Sequence, residues 1–164
     1  MTLDLAILLA QTAMLFFLTG WLTTGALENL FKPKLNSTYT AEVLDMTRLR
    51  EDFPEAYTEV SGRRITNPAL QLFLFRLIVA WELLALIILW IGVVQMVLAL
   101  IGTTDTETAR AWAVLGAMFF TSVWAGFLVA GNWFCYWFGH EGAQNTHFQM
   151  TLWGMSVLIF LTIS

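Results

Sequence analysis

The sequence predicts an all-α integral membrane protein: four transmembrane helices in an up-down bundle, with one structured loop between the first and the second. Three observations predict it. Of the 164 residues, 58% are hydrophobic and only 12% charged, against about half and about a quarter in a soluble domain. The apolar residues gather in four runs, each able to supply the roughly 20 residues that cross a bilayer, and mean hydropathy is +0.69. The links after the second and third runs are short, which forces neighbouring helices to be antiparallel. Inside a bilayer every backbone group needs an internal partner, and for runs of this kind only a helix provides one.

The first helix is predicted over residues 5–27. The opening "MTLDLAILLAQTAMLFFLTGWL" has no basic n-region, carries Asp4 in its place, and its apolar stretch exceeds a signal-peptide core, so it reads as a retained span. A polar loop, 28–68, follows. Beyond its first residue, Glu28, it holds six basic residues (Lys32, Lys34, Arg48, Arg50, Arg63, Arg64) and six acidic ones (Glu42, Asp45, Glu51, Asp52, Glu55, Glu59). Within it Thr40 is placed to cap a short helix, "AEVLDMTRLREDF", ending before Pro54. That helix could lie on the membrane surface or cap the bundle.

The second helix is predicted over 69–101 and the third over 109–138. In the link "GTTDTETAR", Thr104 and Glu107 have capping-box spacing, which puts the third helix start near Asp105. The fourth helix is predicted over 146–163 after "GHEGAQN", where Gly139 and Gly142 suit a stop and a turn. The face opposite the first loop carries little: the N-terminal residues, the second link and Ser164. A single membrane domain over 1–164 is expected.

Glu82 is the most informative residue. With Arg76 snorkelling at the membrane boundary, Glu82 lies roughly 9 Å deeper in the second helix. An ionisable group there faces the bundle or water. It can serve as a proton-relay or ligand carboxylate. Alternatively it fixes helix pairing through a hydrogen bond, with Asn132 or a Trp indole as partner. Arg76, six positions away, is off the same helical face and forms no local pair with it. On the third helix Ser122, Gly126 and Ala130 recur every fourth residue, a small-residue stripe that lets another helix approach closely.

The stretch "GNWFCYWFGHEGAQNTHF" holds the lone cysteine, Cys135, and both histidines, His140 and His147. With Glu141 these could make a mixed metal site, and two histidines could hold a haem. A bis-histidine haem, however, needs imidazoles facing each other from separate helices, and the spacing matches no zinc framework. Trp133, Phe134, Tyr136, Trp137 and Phe138 are explained as an aromatic belt at headgroup level. No metal ligand and no catalytic residue is assigned. G-x-S-x-G, P-loop and H-E-x-x-H patterns are absent, so the chain is expected not to be an enzyme. A net charge of −4 without a basic cluster excludes nucleic acid as a partner.

Three blocks carry a resemblance to a known family: "ALENL" with "VLDM" and "FPEA", then "RRITNPALQ" leading into "IVAWELLALIILWIG", then "AGNWFCYWFGHEGAQNTHFQM". The chain resembles the bacterial "predicted small integral membrane protein" family, a four-helix group of unknown function. The family's Pro-containing approach to the second helix corresponds to Asn67 and Pro68. Its Trp-Glu pair corresponds to Trp81 and Glu82, and its aromatic rim to Gly131, Trp133, Phe134 and Trp137. The link "GHEGAQN" departs from the family's Trp-Asn-Gly-Gln-like run, so the histidines stand outside the pattern. Lysine and arginine counting favours a cytoplasmic first loop; the resemblance implies the periplasmic side, and that side is assigned.

The resulting expectation is a non-catalytic accessory subunit of a larger bacterial inner-membrane complex, of the respiratory or photosynthetic electron-transfer kind. It would act through helix packing and loop docking, with the lipid bilayer and other membrane subunits as partners. No cofactor is expected beyond a lipid or quinone bound nearby. The alternatives are a small transporter component using Glu82, and an electron carrier holding haem or metal.

Overall fold

The computed structural model describes residues 1–163; Ser164 lies outside the described residues. Every regular element described is helical: α1 (Leu3–Phe31), α2 (Pro33–Leu44), α3 (Thr47–Asp52), α4 (Pro54–Val60), α5 (Pro68–Leu100), α6 (Thr106–Trp133) and α7 (Glu141–Thr162), with 3-10 turns at Ser61–Arg63 and Tyr136–Phe138. Three helices, α1, α5 and α6, are long and apolar enough to cross a membrane. Long helices that follow one another in the chain pack together, most extensively α5 with α6, and the bundle closes only loosely between α1 and α7.

Local chemistry sets the ends. Thr2 caps α1 by accepting from Leu5 N, and Asn67 caps α5 by accepting from Ala69 N and Leu70 N, with Pro68 at the first position where its missing N–H costs nothing. At the far end of α5, Gly102 takes φ +77, while Gly102 N donates to Ala99 O and Thr103 N to Leu98 O, a glycine-terminated stop. The cap of α6 is Asp105, whose carboxylate accepts from Thr108 N at 2.8 Å; Thr104 does not take that role.

The bundle core runs through Leu15, Leu18, Leu22 and Ala26 of α1, Ala85, Leu89 and Met96 of α5, and Ala109, Ala113, Ala117 and Phe120 of α6. Glycines bring α5 and α6 together. A Cβ on Gly92 would meet the Ala113 backbone at 3.1 Å, and one on Gly116 the Leu89 Cα at 3.0 Å. The close backbone approach of α5 to α6 therefore uses Gly92, Ala113 and Gly116, toward the N-terminus of α6 from the expected stripe. Ser122 and Gly126 of that stripe seat Trp81 instead: its Nε1 donates to Ser122 Oγ at 3.2 Å, and its ring lies 3.7 Å from a Cβ built on Gly126.

The polar loop departs from the expected single helix. Thr40 lies inside α2 and caps nothing; the helix breaks at Asp45–Met46, where Met46 adopts φ +54. The third long helix likewise stops at Trp133, not Phe138, because Cys135 also adopts φ +54. Non-glycine residues avoid this region by about 1–2 kcal/mol each, and packing offsets that cost. Met46 and Cys135 are buried in a second core with Leu44, Leu49 and Phe134. The loop is thus a folded cap docked on the α6–α7 hairpin.

Candidate functional site: a polar cavity beneath the cap

α1 and α5 contain 29 and 33 residues, about 44 and 50 Å of helix, so both exceed the roughly 30 Å hydrocarbon layer. The cap folds around the ends that α1 and α5 share. Four arginines fasten it. Arg64 Nε meets Asp45 Oδ1 at 2.7 Å and Arg50 Nη1 meets Asp45 Oδ2 at 3.3 Å. Arg48 Nη1 donates to Gly139 O at 3.2 Å, and Arg63 Nη1 to Trp133 O at 3.2 Å, with its guanidinium 4.8 Å from the Trp133 ring centroid. Burial alone would raise the Asp45 pKa, but hydrogen bonds from Arg64 and Thr47, with the charges of Arg64 and Arg50, outweigh it and hold the carboxyl below its usual range. His140 lies at the cap edge, its ring 4.8 Å from that of Tyr39. Burial first, and Arg48 second, lower its pKa, with Glu42 opposing.

Under the cap lies a cavity of about 290 Å³, walled by all four long helices, α2 and the turn after α6. Two kinds of polar group line it. On one side Glu82 is 5% exposed, and its Oε2 accepts from Asn29 Nδ2 at 2.7 Å. Asn29 Oδ1 in turn accepts from Asn36 Nδ2 at 2.6 Å. This relay ties α5 to α1 and α1 to the cap. On the other side three rings cluster about His147. Its centroid lies 4.8 Å from Phe127, 5.7 Å from Trp124 and 6.0 Å from Tyr136, the last stacked. Trp124 Nε1, Tyr136 OH and His147 Nδ1 are buried and have no hydrogen-bond partner within the protein. A buried polar atom left unpaired costs about 1–3 kcal/mol. Gly25 and Ala130 line the cavity and are exposed, so it opens to the outside.

Gly131 makes the aromatic side possible. A Cβ there would sit 2.7 Å from the Tyr136 ring, so only glycine lets the turn fold back on α6 and bring Tyr136 under the cap.

The predicted residues divide. Glu82 is in the cavity, and its partner is Asn29, where Asn132 or a Trp indole was expected; Asn132 is exposed. Arg76 is exposed and outside the cavity. Trp81 is held by Ser122 and Gly126 on the bundle exterior, 45% exposed. Ala130 reaches the cavity wall. Trp133 is exposed under Arg63, whereas Trp137, Phe134 and Tyr136 pack into or beside the cap. His140 and His147 part company, one against Tyr39 and one in the cavity. Among the described residues no three His, Cys, Asp or Glu side chains gather as ligands for one ion. Sequence reasoning missed Asn29, Asn36, Tyr39 and Trp124. Asn29 alone carried a signal, an amide near the end of an apolar run.

Residues 7–164 match the family model described as "Predicted small integral membrane protein (DUF2165)". The chain belongs to this family. The match takes in the bundle, the cap and every cavity residue, so the site lies within the family's own domain. No curated protein and no solved structure matches the chain.

Proposed function

We propose that the protein is a non-catalytic accessory subunit of a larger bacterial inner-membrane complex, of the electron-transfer kind, and that it docks through the cap. In this reading α7 joins α1, α5 and α6 as a fourth span, since its 22 residues reach about 33 Å. The cap then stands on the periplasmic side.

One observation carries the docking role. The loop is nearly balanced in charge, but its arginines are already engaged, by Asp45, Glu42, Gly139 and Trp133. Glu51, Asp52, Glu55 and Glu59 on α3 and α4 are exposed, and no ion pair among the described residues uses them. The outward side of α3 and α4 is therefore acidic, a surface suited to a basic patch on a neighbouring subunit. Replacing these four by lysine should remove co-purifying subunits while leaving membrane abundance unchanged. Retention of the same subunits would sink the docking role.

A second reading, a transporter component with Glu82 as its coupling residue, is favoured by the placement of Glu82 on a cavity open to the outside. It requires that Glu82→Gln abolish substrate flux in vesicles at normal protein level.

A further inference from the structure

We propose that the cavity beneath the cap binds an uncharged amphipathic molecule by a carbonyl-type oxygen, held by Trp124, Tyr136 and His147, with its apolar tail leaving past Gly25. The indole N–H of Trp124 can only donate, so an occupant that satisfies it must bring an acceptor. Tyr136 OH can donate to the same oxygen or to a second one, and His147 Nδ1 adapts by tautomer. Of the four buried side-chain atoms without a partner among the described residues, His140 Nδ1 lies at the cap edge and the other three belong to rings gathered around His147, which places the polar head on that side.

Charge narrows the class. No lysine or arginine lines the cavity, so a phosphate or carboxylate head would enter without a counter-charge and beside Glu82. An ammonium head brings donors only and leaves the indole unsatisfied. A neutral carbonyl suits both sides, because Glu82 is already engaged by Asn29. Val43, Leu44, Phe75, Ile78 and Phe134 supply the apolar wall. Gly25 lies on that wall and is exposed, and a Cβ built there meets nothing within 4 Å, which leaves room for a chain to pass from the cavity into surrounding lipid. Two molecules of the membrane share this chemistry: an isoprenoid quinone and a glycerolipid acyl ester.

The test is calorimetric titration of the full chain in lipid nanodiscs, with a decyl-substituted benzoquinone in one arm and a monoacylglycerol in the other. Decylamine and decyl phosphate serve as charged probes. We expect saturable one-to-one binding of a carbonyl probe, weakened about tenfold by Trp124→Phe, which deletes one hydrogen bond and leaves a smaller aromatic ring in place. Gly25→Leu, which removes no internal contact, should abolish it by filling the passage. Binding in the quinone arm alone assigns the site to a quinone, and in the ester arm alone to a lipid. Uptake by the discs that neither variant alters would overturn the proposal and leave the cavity to water. Tighter binding of either charged probe would overturn it as well.

Discussion

Two buried polar clusters occupy this bundle, and the fold treats them differently. In the first, Gln11 of α1 is completely buried; its Nε2 donates to Phe160 O at 2.8 Å and its Oε1 accepts from Arg110 Nε at 3.1 Å. That cluster joins α1, α6 and α7, and both ends of the amide are used. In the second, beneath the cap, Glu82, Asn29 and Asn36 are linked, but Trp124, Tyr136 and His147 each keep a polar atom unpaired. Satisfied polar groups in an apolar setting fix helix positions. Unsatisfied ones beside an open cavity mark a place where something else completes the set. The contrast separates a satisfied polar lock from a polar cluster left incomplete within the protein.

Glycine substitutions break that comparison most sharply. Gly116→Ala forces a Cβ to within 3.0 Å of the Leu89 backbone and should cost about 1–3 kcal/mol, read as a lower unfolding temperature in detergent. Gly25→Ala at the cavity mouth meets open space and should be neutral, or stabilising by about 0.5–1 kcal/mol. Equal losses at both would mean that the cap end is as tightly packed as the middle of the bundle.

Next comes Gln11→Leu. It strips Phe160 O and Arg110 of one partner each and should destabilise by about 1–2 kcal/mol, with ligand affinity beneath the cap unchanged. A fall in that affinity would show the two clusters to be coupled.

Acid should act on the cap before it acts on the bundle. The folded pKa of His140 is lowered from 6.5, so the unfolded chain binds that proton more readily. Its contribution is complete above pH 6.5 and is lost as pH falls through the lowered value. Glu42, Arg48 and Tyr39 are the titratable groups that act on it or pack against it. Asp45 follows the same sign: its folded pKa lies below 3.8, so its share is complete above 3.8 and disappears further into acid. Limited proteolysis between α2 and α5 should therefore rise in two stages on acidification, and His140→Phe should remove the first. Asp45→Asn at neutral pH should cost about 0.5–1 kcal/mol, because the network is partly exposed. Proteolysis independent of pH would contradict the account of how the cap is fastened.

The smallest effect is expected for Glu82→Gln. A glutamine can still accept from Asn29, so stability should change by less than about 0.5 kcal/mol. A large loss would make the carboxylate itself a structural requirement.

How far the sequence disclosed this arrangement depends on the length of the signal. The long helices were legible because apolar runs of span length have one solution in a bilayer. Glu82 was legible as an ionisable residue inside such a run. Its partner was not, since Asn29 lies 53 residues away and only the packing of α1 on α5 joins them. Both chain reversals at Met46 and Cys135 were hidden for a common reason. Neither residue type favours positive φ, and the neighbouring residues continue a helical pattern, so tertiary packing in the second core imposes the turns. Gly131 was the available clue for the second of them, because it leaves room for Tyr136 to fold back. The pairing of the cap arginines with Asp45 and with the link after α6 was likewise invisible, since loop composition counts charges without their partners.

Native mass spectrometry of the protein, released from its own membrane by a mild detergent, tests most directly whether the cap end is where this molecule meets its partners. The expected result is a mass well above the 18.6 kDa of the bare chain, made up of companion subunits that dissociate when Glu51, Asp52, Glu55 and Glu59 are reversed, and a small neutral adduct that Gly25→Leu removes. A peak at the mass of the chain alone, unchanged by either set of substitutions, would contradict it.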